Sequence, residues 1–415
     1  MDEKTIKEYL NRCSKCGGCM AACPLFAETQ MEPLVARGKL FLIKNYLDGN
    51  LDLSKKMMEL MSLCLLCKAC TDQCPNSIPV DQLVLSIRQE IAQHKGISFV
   101  KKNIFQHFLQ NNGRLNIAAK MANLYQRSGL QWLVRKSGIL GLLGRDLAKK
   151  EKLLPEMAKV PFRAQVPKLI SVSNPQMRVA YYTGCLTNYV FPQTGHAVLE
   201  ILRNHSLEVV IPEQWCCGIL ALASGDEGST VELAKKNIKA FQEAGVDYII
   251  TDCASCGSML HEYADLIGSG DAHFFADKVV DLSQFLAEVV DFTPGDKEIG
   301  CVVTYHDPCH LNRGQGVREA PRKLLKSLPG VIFKEMKEAD RCCGAAGSFN
   351  LTYYDLANKV GHRKVCNIKD TGANVVTTEC PSCIMQIRHL IELEQIPVEV
   401  THLAELISKS YGGVS

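Results

Sequence analysis

The sequence predicts a multidomain α+β protein: a helical N-terminal module, then two repeated α/β domains with parallel, Rossmann-like sheets. Three observations predict it. Two twelve-residue cysteine motifs lie near the N-terminus, CSKCGGCMAACP from Cys13 and CLLCKACTDQCP from Cys64. A longer pattern then occurs twice. VAYYTGCLTN from Val179 returns as VVTYHDPCHLN from Val302, EQWCCG from Glu213 as ADRCCG from Ala339, and VDYIITDCASC from Val246 as ANVVTTECPSC from Ala373. The cysteine offsets are 124, 126 and 127 residues, so a whole unit is duplicated with order and spacing kept. Within each copy, short β-branched and aromatic runs alternate with amphipathic stretches, the pattern of strands layered with helices.

The N-terminal module spans residues 1–98. Between its motifs, Leu34 to Leu47 carries apolar residues at helical spacing and stops at Gly49-Asn50. Val80 to His94 also reads as a helix, with Leu83, Leu85, Ile87 and Ile91 apolar. Residues 99–177 form a basic helical segment and linker. From Lys101 to Lys152 there are eleven Lys or Arg against two acids, Asp146 and Glu151. This is either a solvated helical face or a surface that meets a partner or anionic lipid, and the apolar GILGLLG stretch beside it is compatible with contact. Pro155, Pro161, Pro167 and Pro175 mark irregular chain.

The first repeat covers 178–290, with strands at Val179–Thr183 and Val246–Thr251 and helices at Thr194–Asn204 and Val231–Ala244. The second covers 299–410. Ligands of parallel sheets gather at the carboxyl ends of strands. Cys185, Cys253, Cys309 and Cys380 each follow a predicted strand, so each repeat is expected to gather its cysteines on one sheet edge.

Composition narrows the chemistry. A net charge of +3 gives no support for nucleic-acid binding. No basic segment followed by an apolar run marks a secretory signal. No stretch approaches the roughly 20 apolar residues of a membrane span. The best candidate, Trp132 to Leu143, is broken by Arg135 and Lys136. A cytoplasmic location is therefore expected, with the inner face of the membrane as its one peripheral alternative. Structural disulfides are rare there. Twenty cysteines then point to metal ligation or redox chemistry. Cys301 and Cys366 stand outside the sets and read as ordinary buried thiols.

The N-terminal motifs specify their chemistry. Spacings of two, two and three residues ending in Cys-Pro are the bacterial ferredoxin pattern. Three closely spaced thiolates hold one cubane, and the fourth cysteine points away to ligate the other. Cys13, Cys16, Cys19 and Cys74 are thus expected to hold one [4Fe-4S] cluster, and Cys64, Cys67, Cys70 and Cys23 a second. Gly17, Gly18 and Ala69 let backbone amides approach the sulfurs. Zinc is the alternative for CxxC pairs, and two complete copies argue against it.

Each repeat adds five cysteines. The first has Cys185, Cys216, Cys217, Cys253 and Cys256; the second has Cys309, Cys342, Cys343, Cys380 and Cys383. A zinc ion takes four ligands, and adjacent cysteines fit awkwardly around one tetrahedral centre. Five thiolates suit a multi-iron cluster better.

With these residues in place, the sequence resembles the Cys-Cys-Gly domain proteins. They include the B and D polypeptides of heterodisulfide reductase, the glycolate oxidase iron–sulfur subunit, the lactate-utilisation iron–sulfur protein, and the C polypeptide of anaerobic glycerol-3-phosphate dehydrogenase. The resemblance covers nearly the whole chain in order. HDPCHL at 306–311, RCCGAAGSFNL at 341–351 and ARGKLFLIK at 36–44 look most like the glycolate oxidase subunit. It implies one or two further [4Fe-4S] clusters, of the non-cubane kind that five such cysteines bind in heterodisulfide reductase. Glycolate oxidase subunits often lack part of the final CxxC pair. Here CASC and CPSC are both complete, which shifts weight toward a heterodisulfide-reductase-like cluster.

The function implied is an iron–sulfur subunit of a flavin-dependent glycolate or lactate dehydrogenase. No GxGxxG opens a helix after a strand, so hydride chemistry needs an FAD-containing partner. Quinone or an electron-transfer flavoprotein would be the further partner. The alternatives are a heterodisulfide-reductase-like catalytic subunit, or the membrane-docking subunit of a glycerol-3-phosphate dehydrogenase. His306 and His310 flank Cys309 and are the candidate catalytic residues. They read first as structural hydrogen-bonding groups and second as proton donors.

Overall fold

The computed structural model describes residues 1–138, 140 and 145–413. In the first repeat, strands β1 (Leu169–Ile170), β2 (Met177–Tyr182), β3 (Leu207–Val210), β4 (Tyr248–Thr251) and β5 (Val279–Asp281) form one sheet in the order β1-β3-β2-β4-β5. All neighbours are parallel except β1, which runs antiparallel to β3. That short strand lies in the stretch read as linker. The second repeat builds β6 (Cys301–Tyr305), β7 (Val331–Phe333), β8 (Val375–Thr378) and β9 (Glu399–His402), all parallel, in the order β7-β6-β8-β9. The chain is thus α+β. The central strands match: Val179 pairs with Val209 and Tyr248, Val303 with Phe333 and Val375. Val179 to Tyr182 are buried without alternation, as expected for parallel strands covered on both faces.

The expected helices form with small shifts. A 3-10 turn at Glu32–Leu34 takes the start of the first, which runs Ala36–Leu47; the second runs Val80–Lys95. With helices Glu3–Asn11 and Lys55–Ser62 they bury Ile6, Leu10, Ile43, Met61, Leu83 and Ile87 in the core of the N-terminal module.

The two repeats share a core. The helix after β9, Leu403–Ser410, packs on Pro192–Asn204 of the first repeat, and the π-helical turn after β5, Phe285–Val289, packs on Ala320–Ser327 of the second. Val198, Ile201, Phe285, Leu324, Leu406 and Ile407 belong to this single apolar cluster. Leu406→Ala is therefore expected to cost about 2–5 kcal/mol. The loss should appear in one cooperative denaturant transition of both repeats. Separate transitions, with the first repeat unaffected, would show the core is not shared.

The basic segment is helical over Phe99–Asn103, Asn112–Arg127 and Leu130–Ser137. It exposes Phe99, Ile117, Met121, Leu124, Trp132 and Leu133. Of the GILGLLG stretch, Ile139 and residues 141–144 lie outside the described residues. No described helix is long and apolar enough to cross a membrane.

Candidate metal centres

The two N-terminal loops adopt one backbone. Lys15 and Gly17 in the first, and Leu66 and Lys68 at the equivalent positions in the second, all have positive φ. Three of the four are not glycine, so each loop holds conformations costing about 1–2 kcal/mol per residue. Strain of this kind persists where the surroundings over-determine it, typically at functional sites. Cys13, Cys16, Cys19 and Cys74 line one cavity together with Cys70. Burial pushes the Cys23 thiol up to about 11, with Cys67 and Cys64 adding to the effect. Burial likewise pushes Cys70 well above its ordinary value, beside Cys64, Cys67 and Cys23. Each fourth cysteine thus faces the triplet of the other motif.

Lys39 sits beside this second set, 1% exposed. Its ammonium donates to the Leu60 carbonyl. Burial lowers it to about 8, while Cys64, Cys23 and Cys70 favour its charge. Helical periodicity missed this residue because lysine in an amphipathic helix ordinarily faces water.

In the repeats, the glycine after each cysteine pair has φ of +91°. A Cβ on Gly344 would lie 2.4 Å from the Ala357 carbonyl oxygen, and one on Gly218 2.8 Å from Thr230 Cγ2. The left-handed turn swings each pair toward the carboxyl ends of its strands. In the first set, Cys216 lies beside Cys185 and Cys217, and Cys217 beside Cys256. In the second, Cys342 lies beside Cys309 and Cys343, and Cys343 beside Cys383. Neighbouring thiols therefore hold Cys217 and Cys343 well below the ordinary thiol range.

The sets are not separate, which spacing alone could not show. Cys253 of the first repeat lies beside Cys380 of the second, whose Sγ is 3.5 Å from Ser255 Oγ. Around them Ala254 N–H donates to the Glu379 carbonyl at 2.8 Å, and His402 Nε2 bonds the Asp252 carbonyl at 2.7 Å. At the other end, Cys67 of the N-terminal module packs beside Cys342. Thiols thus connect the module to the second set and the second set to the first. Arg88 locks the module down, donating to the carbonyls of Met61, Ser62 and Cys64 within it and to Ala223 of the first repeat at 2.8 Å. Lys68 reaches Glu262 of the first repeat at 3.0 Å, and Asp72 pairs with Arg318 of the second at 3.0 Å.

The flanking histidines differ. His310 Nδ1 lies 3.3 Å from Ser255 Oγ, across the junction of the repeats. His306 is fully buried, and neither ring nitrogen has a hydrogen-bond partner among the described residues. Buried Lys364 donates to the Ala339 carbonyl at 2.9 Å, and burial lowers it to about 8 beside Cys343. The reading of Cys301 and Cys366 as buried thiols needs correction: both are partly exposed. Cys301 opens a strand at the sheet's rim, and Cys366 lies on a helix flank beside exposed His362, 3.6 Å from its Nε2.

Lys39 and Lys364 carry a pH prediction. Unfolded lysine keeps its proton to about 10.5, whereas these two release it near 8 in the fold. Between those values the unfolded chain binds more protons at these two sites, so their contribution to the stability of the iron-free chain rises with pH, against the opposite contribution of buried thiols such as Cys23 that are pushed up. The unsubstituted chain should therefore gain stability relative to Lys39→Met as pH rises from 7 to 10.5, read from the denaturant midpoints of the two chains. Iron loading should shrink that relative gain, because anionic sulfur restores the cation.

Ferredoxin-spaced cysteines that meet across two loops, and two five-thiol sets at the edges of parallel sheets, define an iron–sulfur protein. Residues 9–78 match the 4Fe-4S dicluster domain, 96–154 the linker region of the glycolate oxidase iron–sulfur subunit, and 179–261 and 303–388 the cysteine-rich domain. The probable glycolate oxidase iron–sulfur subunit of Bacillus subtilis (strain 168) is 37% identical over 98% of this chain and 94% of its own length. The D polypeptide of the dihydromethanophenazine:CoB–CoM heterodisulfide reductase of Methanosarcina acetivorans is 27% identical over 97% of this chain and 94% of its own. Lactate utilization protein A 2 of Bacillus cereus (strain AH820) is 31% identical over 56% of this chain and 98% of its own. The chain belongs to the glycolate oxidase iron–sulfur subunit family.

Proposed function

We propose that the chain is the electron-transfer subunit of a flavin-dependent 2-hydroxyacid dehydrogenase, taking electrons from an FAD-containing partner and passing them to quinone or an electron-transfer flavoprotein. The carrying observation is the contact of thiol sets from end to end, through Cys67–Cys342 and Cys253–Cys380. Cys13, Cys16, Cys19 and Cys74 would hold one cubane cluster, and Cys64, Cys67, Cys70 and Cys23 the other. Cys185, Cys216, Cys217, Cys253 and Cys256 fit one further centre; Cys309, Cys342, Cys343, Cys380 and Cys383 fit a second. The fit rests on the donor set: buried thiols such as Cys70 and Cys383 are pushed well above their ordinary values, and binding to a soft metal relieves that cost. Bound clusters of this kind supply one-electron steps. The chain's own residues exclude water around the sulfurs and set Lys39 and Lys364 beside them as countercharges.

The test is anaerobic mixing of the iron-loaded chain with glycolate or lactate, with and without the flavoprotein that copurifies from its host. Bleaching of the iron–sulfur absorbance only when the flavoprotein is present is expected. Purification without any flavoprotein counts against the assignment.

One observation favours a second reading, a heterodisulfide-reductase-like catalytic subunit. Both CxxC pairs are complete and fully gathered into their sets. Reduction of a disulfide by the isolated chain with a chemical reductant would establish it.

The exposed apolar stripe Ile117, Met121 and Leu124, together with Trp132, supports a peripheral contact with an anionic membrane face. Lys136 lies 4.7 Å over the Trp132 ring, and Lys120 is exposed beside the stripe. Lys120→Glu with Lys136→Glu should abolish flotation with vesicles rich in anionic lipid. Unchanged flotation would remove the membrane from the proposal.

A further inference from the structure

The geometry points to His306 as a nitrogen ligand of the iron–sulfur centre in the second repeat, a ligand the first repeat lacks. The inference rests on the reading that the second cysteine set holds such a centre. His306 is the first residue after β6, at the sheet edge where that set gathers. Its side chain is 0% exposed, and both ring nitrogens are without a hydrogen-bond partner among the described residues. One unsatisfied buried polar atom costs about 1–3 kcal/mol, so an imidazole with two calls for a binding role. A ring nitrogen, Cys343 Sγ and Cys383 Sγ all lie within 4.8 Å of one another, close enough to meet at one metal.

The first repeat shows the contrast. The residue after β2 is Thr183, and among the described residues no imidazole joins Cys217 and Cys256 in such a group. One centre would therefore be held by sulfur alone and the other by sulfur and a neutral nitrogen. A thiolate in place of this neutral nitrogen would lower the potential of the centre. The second set is also the one that Cys67 touches.

The experiment uses the full chain, prepared anaerobically with its clusters from cells fed 15N-histidine or the natural isotope. Pulsed electron paramagnetic resonance should find a directly coordinated histidine nitrogen in one signal, with a coupling that changes with the isotope. That signal should vanish in Cys343→Ser. The coupling should be lost in His306→Gln and kept in His310→Gln, and the midpoint potential of that signal should fall in His306→Cys. Should His306→Gln fail to fold, the isotope comparison in the unsubstituted chain decides alone. A Cys343-dependent signal without nitrogen coupling overturns the ligand assignment and leaves the centre standing. Absence of any Cys343-dependent signal, with iron content unchanged by Cys343→Ser, overturns both.

Discussion

Cys67→Ala is expected to lower the iron content by about four atoms per chain and to stop electrons passing from the N-terminal module into the repeats. Two positions of one side chain produce the double effect. Cys67 belongs with Cys64, Cys70 and Cys23, and it also packs beside Cys342 of the second repeat. Cys16→Ala gives a comparison. It should lose a similar amount of iron, yet it leaves the Cys67–Cys342 contact in place, so an electron introduced at the second motif still reaches the repeats. Iron and sulfide assays, with rapid-freeze electron paramagnetic resonance after photoreduction, measure both quantities. Full iron in Cys67→Ala, or repeats reduced at the unsubstituted rate, would refute the route.

Gly344→Ala is expected to destabilise the chain by about 2–5 kcal/mol, the sum of two costs. The left-handed conformation costs an alanine about 1–2 kcal/mol. The added methyl would stand 2.4 Å from the Ala357 carbonyl oxygen, an overpacking that costs about 1–3 kcal/mol more. Gly372 separates the two costs, since its φ is +68° and nothing would lie within 4 Å of a Cβ placed on it. Gly372→Ala should lose only the conformational part, about 1–2 kcal/mol. Anaerobic urea unfolding ranks the two. Equal losses would mean that the close approach at Ala357 is relieved by a small backbone shift.

Much of this was legible beforehand. Covalent spacing determines which thiols can reach one cluster, so CxxCxxCxxxCP is readable without a fold. The duplicated VxxY, CCG and CxxC phrases gave the repeat and its strands, because the central strands of a parallel sheet are apolar on both faces. Other features depend on how units meet. Nothing local to Cys253 or Cys380 signals that they face each other. Lys39 and Lys364 are buried on otherwise partly exposed helices, beside the thiol sets. His306 and His310 looked alike in HDPCHL, yet one lies in the second cysteine set and the other bonds Ser255 across the junction. Residues 403–410 fall within the second repeat by sequence, and only the three-dimensional packing shows the helix they form completing the core of the first.

That exchange has a consequence for biogenesis. While the ribosome is still translating the second repeat, helix Pro192–Asn204 has no cover for the surface that Leu406 and Ile407 later occupy. The nascent first repeat must therefore carry a greasy, chaperone-binding face for some two hundred codons.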